Sequence, residues 1–383
     1  MRMHIADFRA KLNAWLDAHH AELAAPFAPP GTLDQRVAQM QRMKSVLFEA
    51  DWMRYGWPEH VGGLGGSPML RTELGAALAG RDLADPGLFS LIEVLAPTLI
   101  DFARPELAAE VVPRLLSGAE IWCQGFSEPG TGSDLSSLSC RAEPDGDPDT
   151  ASTWRINGQK VWTSLAQYAE RCVLLTRTGP ADSRHRGITA FFVDMDTPGI
   201  TVAPIEMING MHEFAEVFFD DVVVPADRML GELNGGWSVA MSILPYERSS
   251  CFWQRIAYLY RRLEMIVEVA PDDDRAAEVI GNAFLHLHML RSRSRVTQHR
   301  LADGATLGAE TSIDKVLVAT GDHIVYDAAR RLLPGIVEMD DSDAGEMWRT
   351  EYLYSRAATI YGGTAEVQRN IIARRLLDLG TDA

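Results

Sequence analysis

An α+β chain, helical at both ends with strands between, is predicted by three observations. Apolar residues recur at helical spacing through roughly the first 120 positions; the period shortens to that of strands near Ala119; helical spacing resumes after Gly235-Gly236. The order divides the chain into an N-terminal helical domain (1–120), a middle β domain (121–230) and a C-terminal helical domain (231–383). A length of 383 residues suffices for three such packed regions around sizeable cores. No repeat shows at the periods that mark solenoids or propellers.

In chain order, Ile5, Phe8, Leu12, Trp15 and Leu16 fall on one helical stripe, as do Val37, Met40, Leu47 and the aliphatic stem of Lys44. The stretch Arg54 to Pro68 (RYGWPEHVGGLGGSP) is too rich in glycine and proline for anything but loop. Helical patterns follow at 70–79, 88–102 and 105–116. In the β region, Trp154–Ile156, Asn157-Gly158 and Lys160–Trp162 read as a hairpin, since Asn-Gly adopts the positive φ angles of a type I′ turn. Further strands are predicted at 172–178, 188–194, 200–206, 215–220 and 221–225. Beyond residue 236, Pro271-Asp272-Asp273-Asp274 and the acidic stretch 338–345 mark loops between helices.

Composition excludes several classes. The hydrophobic fraction of 46% and charged fraction of 23% are those of a soluble globular chain, and no run reaches the roughly 18 apolar residues of a membrane span. A net charge of −17 argues against nucleic acid as a partner. The N-terminal segment lacks the apolar core of a signal peptide. Cys123, Cys140, Cys172 and Cys251 are dispersed with no Cys-x-x-Cys, which suggests neither a disulfide framework nor a zinc site and fits a reducing cytoplasm.

Two segments carry chemistry. In WCQGFSEPGTGSDLSS (122–137), Gly130 and Gly132 with Ser127, Thr131 and Ser133 allow backbone amides and hydroxyls close to a polar ligand; a glycine-containing turn between strands explains the same residues. It is neither a Walker A loop nor a dinucleotide fingerprint. In YGGTAEVQRNIIARRLL (361–377), Thr364 is placed to cap the helix that begins after two glycines, which is also how an ordinary terminal helix begins. Together with INGQKVWTS (156–164), RGITAFFVDMDTPGI (186–200) and FFDDVVVP (218–225), these segments resemble the acyl-CoA dehydrogenase family over nearly the whole chain, five motifs in order.

The resemblance implies a β-barrel-like middle domain, a C-terminal four-helix bundle, bound FAD and an acyl-CoA thioester substrate in lipid metabolism. In such enzymes a carboxylate removes the pro-R α proton while a β hydride passes to flavin N5, giving a trans-2-enoyl-CoA. The α C–H is a very weak acid, so the reaction needs a well-placed base and donors for the developing enolate. By resemblance one donor is the backbone N–H of Gly362. Phe126, Ser127, Trp162 and Ser164 lie along the isoalloxazine; Gly132 and Ser133 face the cofactor or, for Ser133, the pantetheine; Thr364 and Glu366 touch the cofactor from the helix start.

Many family members carry the catalytic glutamate where this chain has Gly362, which has no side chain to act as a base. A smaller set places it on another helix, and there Glu247 stands in SILPYERSS (242–250), followed by Arg248, matching an arginine used near substrate or base. Two elements that hold the ADP half of FAD are degraded: FWQRIAYLYRRLEMIVEVAPDDD (252–274) stands for one, and RRLLPGIVEMDDS (330–342), with a single glycine, for the other. Arg261 and Arg262 are candidate substitutes, though exposed arginines of an amphipathic helix explain them equally. The chain is therefore expected to be a homo- or hetero-oligomer, a dimer of dimers that includes an α2β2 arrangement with a paralogue completing the flavin site. Electrons leave through an electron-transfer flavoprotein or similar carrier. The alternatives are a noncatalytic or half-site subunit and an acyl-CoA or nitroalkane oxidase. The basic stretch HLHMLRSRSR (286–295) reads as a solvated or intersubunit face, against a metal or CoA-phosphate site.

Overall fold

The structure is a computed structural model that describes residues 3–305 and 307–380. Helices α1 (Ile5–Leu23), α2 (Leu33–Glu49), α3 (Met69–Ala79), α4 (Pro86–Phe89), α5 (Leu91–Phe102) and α6 (Pro105–Leu116) come first. Strands β1 (Trp122–Gly125), β2 (Arg141–Pro144), β3 (Thr153–Ser164), β4 (Arg171–Arg177), β5 (Ile188–Asp194), β6 (Ile200–Ile205), β7 (Phe214–Pro225) and β8 (Met229–Leu230) follow. Then come α7 (Gly236–Tyr246), α8 (Phe252–Val269), α9 (Asp274–Ala302), α10 (Thr311–Leu332), α11 (Asp343–Ser355) and α12 (Ala365–Arg375). The helical, sheet, helical order is that predicted. Among the described residues no helix is long and apolar enough to cross a membrane.

The chain forms two compact units. One gathers the described residues up to Pro58, Gly63–Ser90 and everything described from Pro245 on. Its C-terminal helices close on a core of Ile256, Leu259 and Ile266 from α8, Leu287 and Leu290 from α9, Val325 and Tyr326 from α10 and Trp348 from α11. The caps are those the sequence supplies: Thr32 and Gln35 form a reciprocal box at α2, and Asp273 and Ser342 accept from Ala276 N and Gly345 N at α9 and α11. In α1, Phe8, Leu12 and Leu16 are buried as their spacing requires. Lys44 goes further than its predicted stem: the whole side chain is buried, its amino group 6.0 Å from the Phe89 ring centre, and burial pushes its pKa down to about 7.

The other unit, Glu59–Gly62 and Leu91–Leu244, is built on one sheet of order β6-β7-β3-β2-β4-β5-β8, with β1 parallel to β4. Trp154, Ile156, Phe191, Val217 and Phe219 fill its core. Here the predicted hairpin at Asn157-Gly158 is corrected: Thr153–Ser164 is one strand, paired along its length with β7. Gly158 takes φ 148°, and a Cβ there would lie 2.6 Å from Cys140 Cα, so the glycine serves close approach of a neighbouring strand within an irregular register, not a reversal. Asp221 makes the matching kink in β7 at φ 51°; its N–H donates to Asn157 Oδ1 at 2.9 Å and Asn157 Nδ2 donates back to Asp221 Oδ1 at 3.0 Å. The runs 215–220 and 221–225 are accordingly one strand, and 88–102 is two helices.

Candidate active site

Pro245 sits in the last turn of α7 without a backbone N–H to continue the ladder, and the chain responds with a π-helical turn, Glu247–Cys251, before α8 begins. The wider turn presents Glu247, half-buried, and Arg248, 6% exposed. Opposite Glu247 is Gly362, at φ 63°. A Cβ built on Gly362 would lie 2.5 Å from Glu247 Oε1 and 3.4 Å from Lys315 Cε. The carboxylate of residue 247 thus occupies the space a side chain at 362 would need.

Arg248 donates from Nη1 to Thr311 Oγ1 at 3.3 Å, while its Nε is buried without a partner. Burial weakens the guanidinium's hold on its proton, with Glu247 opposing. Lys315 is 2% exposed; its Nζ donates to Ala358 O at 2.6 Å and lies 4.3 Å from the Tyr361 ring centre. Burial brings its pKa down to about 8 against the pull of Glu247 and Asp322. Thr364 caps α12, accepting from Val367 N at 3.2 Å, while Glu366 is exposed and pairs with Arg369 at 3.7 Å. Buried Gln368 donates to the carbonyls of Gly362 and Gly363, both at 3.4 Å, and a Cβ on Gly363 would strike its Nε2 at 2.4 Å. That explains the second glycine.

The arginines considered as substitutes for the ADP-binding elements are spoken for. Arg262 is buried, with Asp82 at 2.8 Å and Glu351 at 3.0 Å, and Glu351 also accepts from Tyr258 and Tyr326, each at 2.5 Å. Arg261 pairs with Asp82 at 3.2 Å and with Glu268 at 3.3 Å. In the second element, Gly335 turns at φ 83°, and Arg349 is tied to the carbonyls of Val337 and Asp340. Along 286–295, His286 meets Leu317 O at 2.9 Å, His288 stacks on Phe284, Arg291 covers Trp253 and Tyr260, and Arg293 reaches Glu310 O. Packing therefore takes up much of that basic stretch.

In the sheet unit, Phe126, Ser127, Trp162 and Ser164 are brought together by β3. Val161 N donates to Ser127 O at 2.9 Å, and Lys160, wholly buried, donates to Phe126 O at 3.2 Å and to Glu128 Oε1 at 2.8 Å. Glu128 also accepts from Cys140 N, Ser139 N and Ser139 Oγ. Burial works against its charge, but Lys160 and these donors prevail and hold its proton affinity below the ordinary carboxylate level. Just past this anchor, the register shift between Lys160 and Thr163 turns Trp162 outward at φ 59°, leaving it 59% exposed. A positive φ at a tryptophan is strained backbone of the kind found at ligand sites. Thr131 Oγ1 and Thr163 Oγ1 are buried without a hydrogen-bond partner, and a Cβ at Gly130 or Gly132 would meet nothing within 4 Å. Gly132 and Ser133 lie exposed. An outward aromatic, two unanswered hydroxyls and glycines the fold does not require suit a flat polar ring system. They fit the isoalloxazine half of a flavin, whereas the committed Arg261 and Arg262 do not fit its ADP half.

Sequence reading did not find Lys315, Lys160, Glu128, Thr311 or Gln368. One signal for Lys315 exists: Thr311, Lys315, Asp322 and Tyr326 interrupt the apolar stripe of α10, and all are buried.

Family models match in two stretches: acyl-CoA dehydrogenase, middle domain, over residues 123–222, and acyl-CoA dehydrogenase, C-terminal domain, over 234–377. The chain is 38% identical over 390 residues to acyl-CoA dehydrogenase IpdE1 of Mycobacterium tuberculosis, covering 99% of each. Among solved structures it is similar to the Tcur3481-Tcur3483 steroid ACAD, with a TM-score of 0.82 at 25% identity over 98% of this chain and 96% of that one. It is equally similar to the ChsE4-ChsE5 complex from Mycobacterium tuberculosis, with a TM-score of 0.82 at 25% identity over 100% of both.

Proposed function

Because the chain belongs to the acyl-CoA dehydrogenase family, whose members are FAD-dependent oxidoreductases, we propose that it oxidises an acyl-CoA thioester to a trans-2-enoyl-CoA with Glu247 as the base. One observation carries the assignment: the Glu247 carboxylate lies where a side chain at Gly362 would begin. Many relatives put their base at that position, and a glycine there leaves the space to a carboxylate arriving from the other side. Glu247 takes the α proton, and the backbone N–H of Gly362 donates to the thioester oxygen as enolate charge develops. Arg248, buried with an unanswered Nε, faces substrate. Phe126, Ser127, Trp162 and Ser164 line the flavin ring, with Gly132, Ser133, Thr364 and Glu366 as its outer contacts. Bound FAD supplies the hydride acceptor; electrons then pass to an electron-transfer flavoprotein or similar carrier. Peroxide formation in aerobic turnover would instead mark an oxidase.

A half-site organisation is favoured by the commitment of Arg261 and Arg262 to Asp82, Glu268 and Glu351. With neither Arg261 nor Arg262 left for the pyrophosphate, a paralogous partner supplies the ADP clamp in a heteromeric assembly, as the two similar structures, each of a pair of proteins, suggest. The likeness to the Tcur3481-Tcur3483 steroid ACAD favours a polycyclic, steroid-derived acyl group over a straight medium chain. In the purified holoprotein, Glu247→Gln is expected to keep the flavin yellow while slowing its bleaching by acyl-CoA by ~10²–10⁴-fold. Bleaching at the wild-type rate refutes the base. One full FAD per chain in a homotetramer refutes the half-site.

A further inference from the structure

Among the described residues, the charges around the π-helical turn leave one acid, Glu247, and two cations, Arg248 and Lys315, outside any ion pair. The turn packs against α3, α8, α9 and α10. On α3, Glu73 is held by Arg9 at 2.7 Å and Arg71 stacks over Trp57 at 3.8 Å. On α8, Arg255 grips Asp322 of α10 at 2.8 and 2.5 Å. On α9, Arg293 reaches Asp314 of α10 at 3.5 Å. Arg248, on the turn itself, is directed to Thr311. The other cation outside an ion pair is Lys315, whose ammonium is held by one carbonyl, Ala358 O, and one aromatic face, Tyr361. A buried ammonium so placed needs an anion. Glu247 and Lys315 approach the same point, the site of an absent Cβ on Gly362, from 2.5 and 3.4 Å. They are separated by no more than the sum of those two distances.

We propose that Lys315 is a positioning residue for the reaction, the tie that fixes the Gly362 loop through Ala358 and lends a nearby positive charge to the side of the site where Glu247 lies. The proposal rests on Glu247 being the base. The two functions meet in one side chain: its Cε borders the point that the Glu247 carboxylate also approaches, and its hydrogen bond ends four residues before the donor N–H of Gly362.

Three substitutions separate charge from anchoring: Lys315→Gln keeps a donor for Ala358 O without the charge, Lys315→Arg keeps the charge, and Lys315→Met keeps neither. The limiting rate of flavin reduction and the acyl-CoA concentration at half-saturation are measured in the holoprotein, with its paralogue if one co-purifies. The acyl-CoA is the one that bleaches the flavin fastest in a panel. Lys315→Gln is expected to lower the limiting rate about tenfold with half-saturation unmoved. Lys315→Arg restores it to within about threefold of wild type, and Lys315→Met loses more than Lys315→Gln. A limiting rate unchanged in Lys315→Gln overturns the proposal while leaving the base assignment standing. Should these variants not fold, Glu247→Gln provides a test independent of catalysis. Without its anion the Lys315 ammonium is uncompensated, so the melting-temperature deficit against wild type is larger at pH 6 than at pH 9.5. Equal deficits at both pH values overturn the pairing; Glu247→Gln that reduces flavin at the wild-type rate sinks the base, and with it the catalytic role of Lys315.

Discussion

Gly362→Ala puts the geometry of the base to a quantitative test. The new methyl group would stand 2.5 Å from Glu247 Oε1, where ordinary contact begins at 3.4 Å, so the carboxylate must retreat by the difference. Because the obstacle is the far end of a flexible side chain, the retreat costs the fold little. The stability loss then comes chiefly from alanine at φ 63°, about 1–2 kcal/mol. The catalytic loss is larger in proportion: a base misplaced by nearly 1 Å forfeits about 10²-fold in rate, equivalent to ~2.7 kcal/mol of barrier. Anaerobic stopped-flow mixing of the holoprotein with saturating acyl-CoA measures that rate as loss of flavin absorbance. Gly363→Ala is the comparison. It imposes the same kind of strain, at φ 89°, but its methyl group strikes Gln368 Nε2 and not Glu247. Gly362→Ala within about threefold of wild type, or no slower than Gly363→Ala, would refute the placement of the carboxylate, since 10²-fold is what the displacement demands.

Two further outcomes test charges that are buried for structural reasons. Lys44, with a folded pKa of about 7 against about 10.4 unfolded, is neutral in the folded protein and charged in the unfolded one between those values. The unfolded state binds the extra proton, so stability rises with pH across that window; Lys44→Met flattens the rise, read as melting temperature at pH 7, 8.5 and 10. Arg262→Met strips Asp82 and Glu351 of their shared cation and is expected to destabilise the protein by about 3–5 kcal/mol, measured by urea unfolding, while leaving flavin content per folded chain unchanged. Lost flavin with unaltered stability would return Arg262 to the cofactor.

The helical ends were legible because burial there follows a local period: Phe8, Leu12 and Leu16, or Val37, Met40 and Leu47, declare their face within a few turns. The sheet was legible in its runs, with Ile188–Asp194 falling on the predicted bounds, but not in its connections. Asn157-Gly158 carries the residues of a tight turn and of a strand irregularity alike. What decides between them is Asp221, 64 residues away, whose backbone and side chain brace Asn157. The buried charges escaped notice for the same reason. Arg261 reads as a surface arginine until Asp82, 179 positions earlier, is brought to it, and Arg262 until Glu351, 89 positions later, closes on it. The glycine pair at 362–363 was visible as a motif, yet the roles of Glu247 beside one and Gln368 beside the other belong to tertiary packing.

The mutual exclusion at position 362 reaches beyond this one chain's chemistry. A side chain there and the acid borne by the π-helical turn claim the same volume, so the two sites cannot be varied independently. A combinatorial library randomised at 247 and 362 together would hold its active members along a narrow ridge, glutamate at the first with glycine at the second. Each step off that ridge loses function before any second change can restore it. Epistasis of this kind makes the choice of which segment carries the acid hard to reverse by single substitutions.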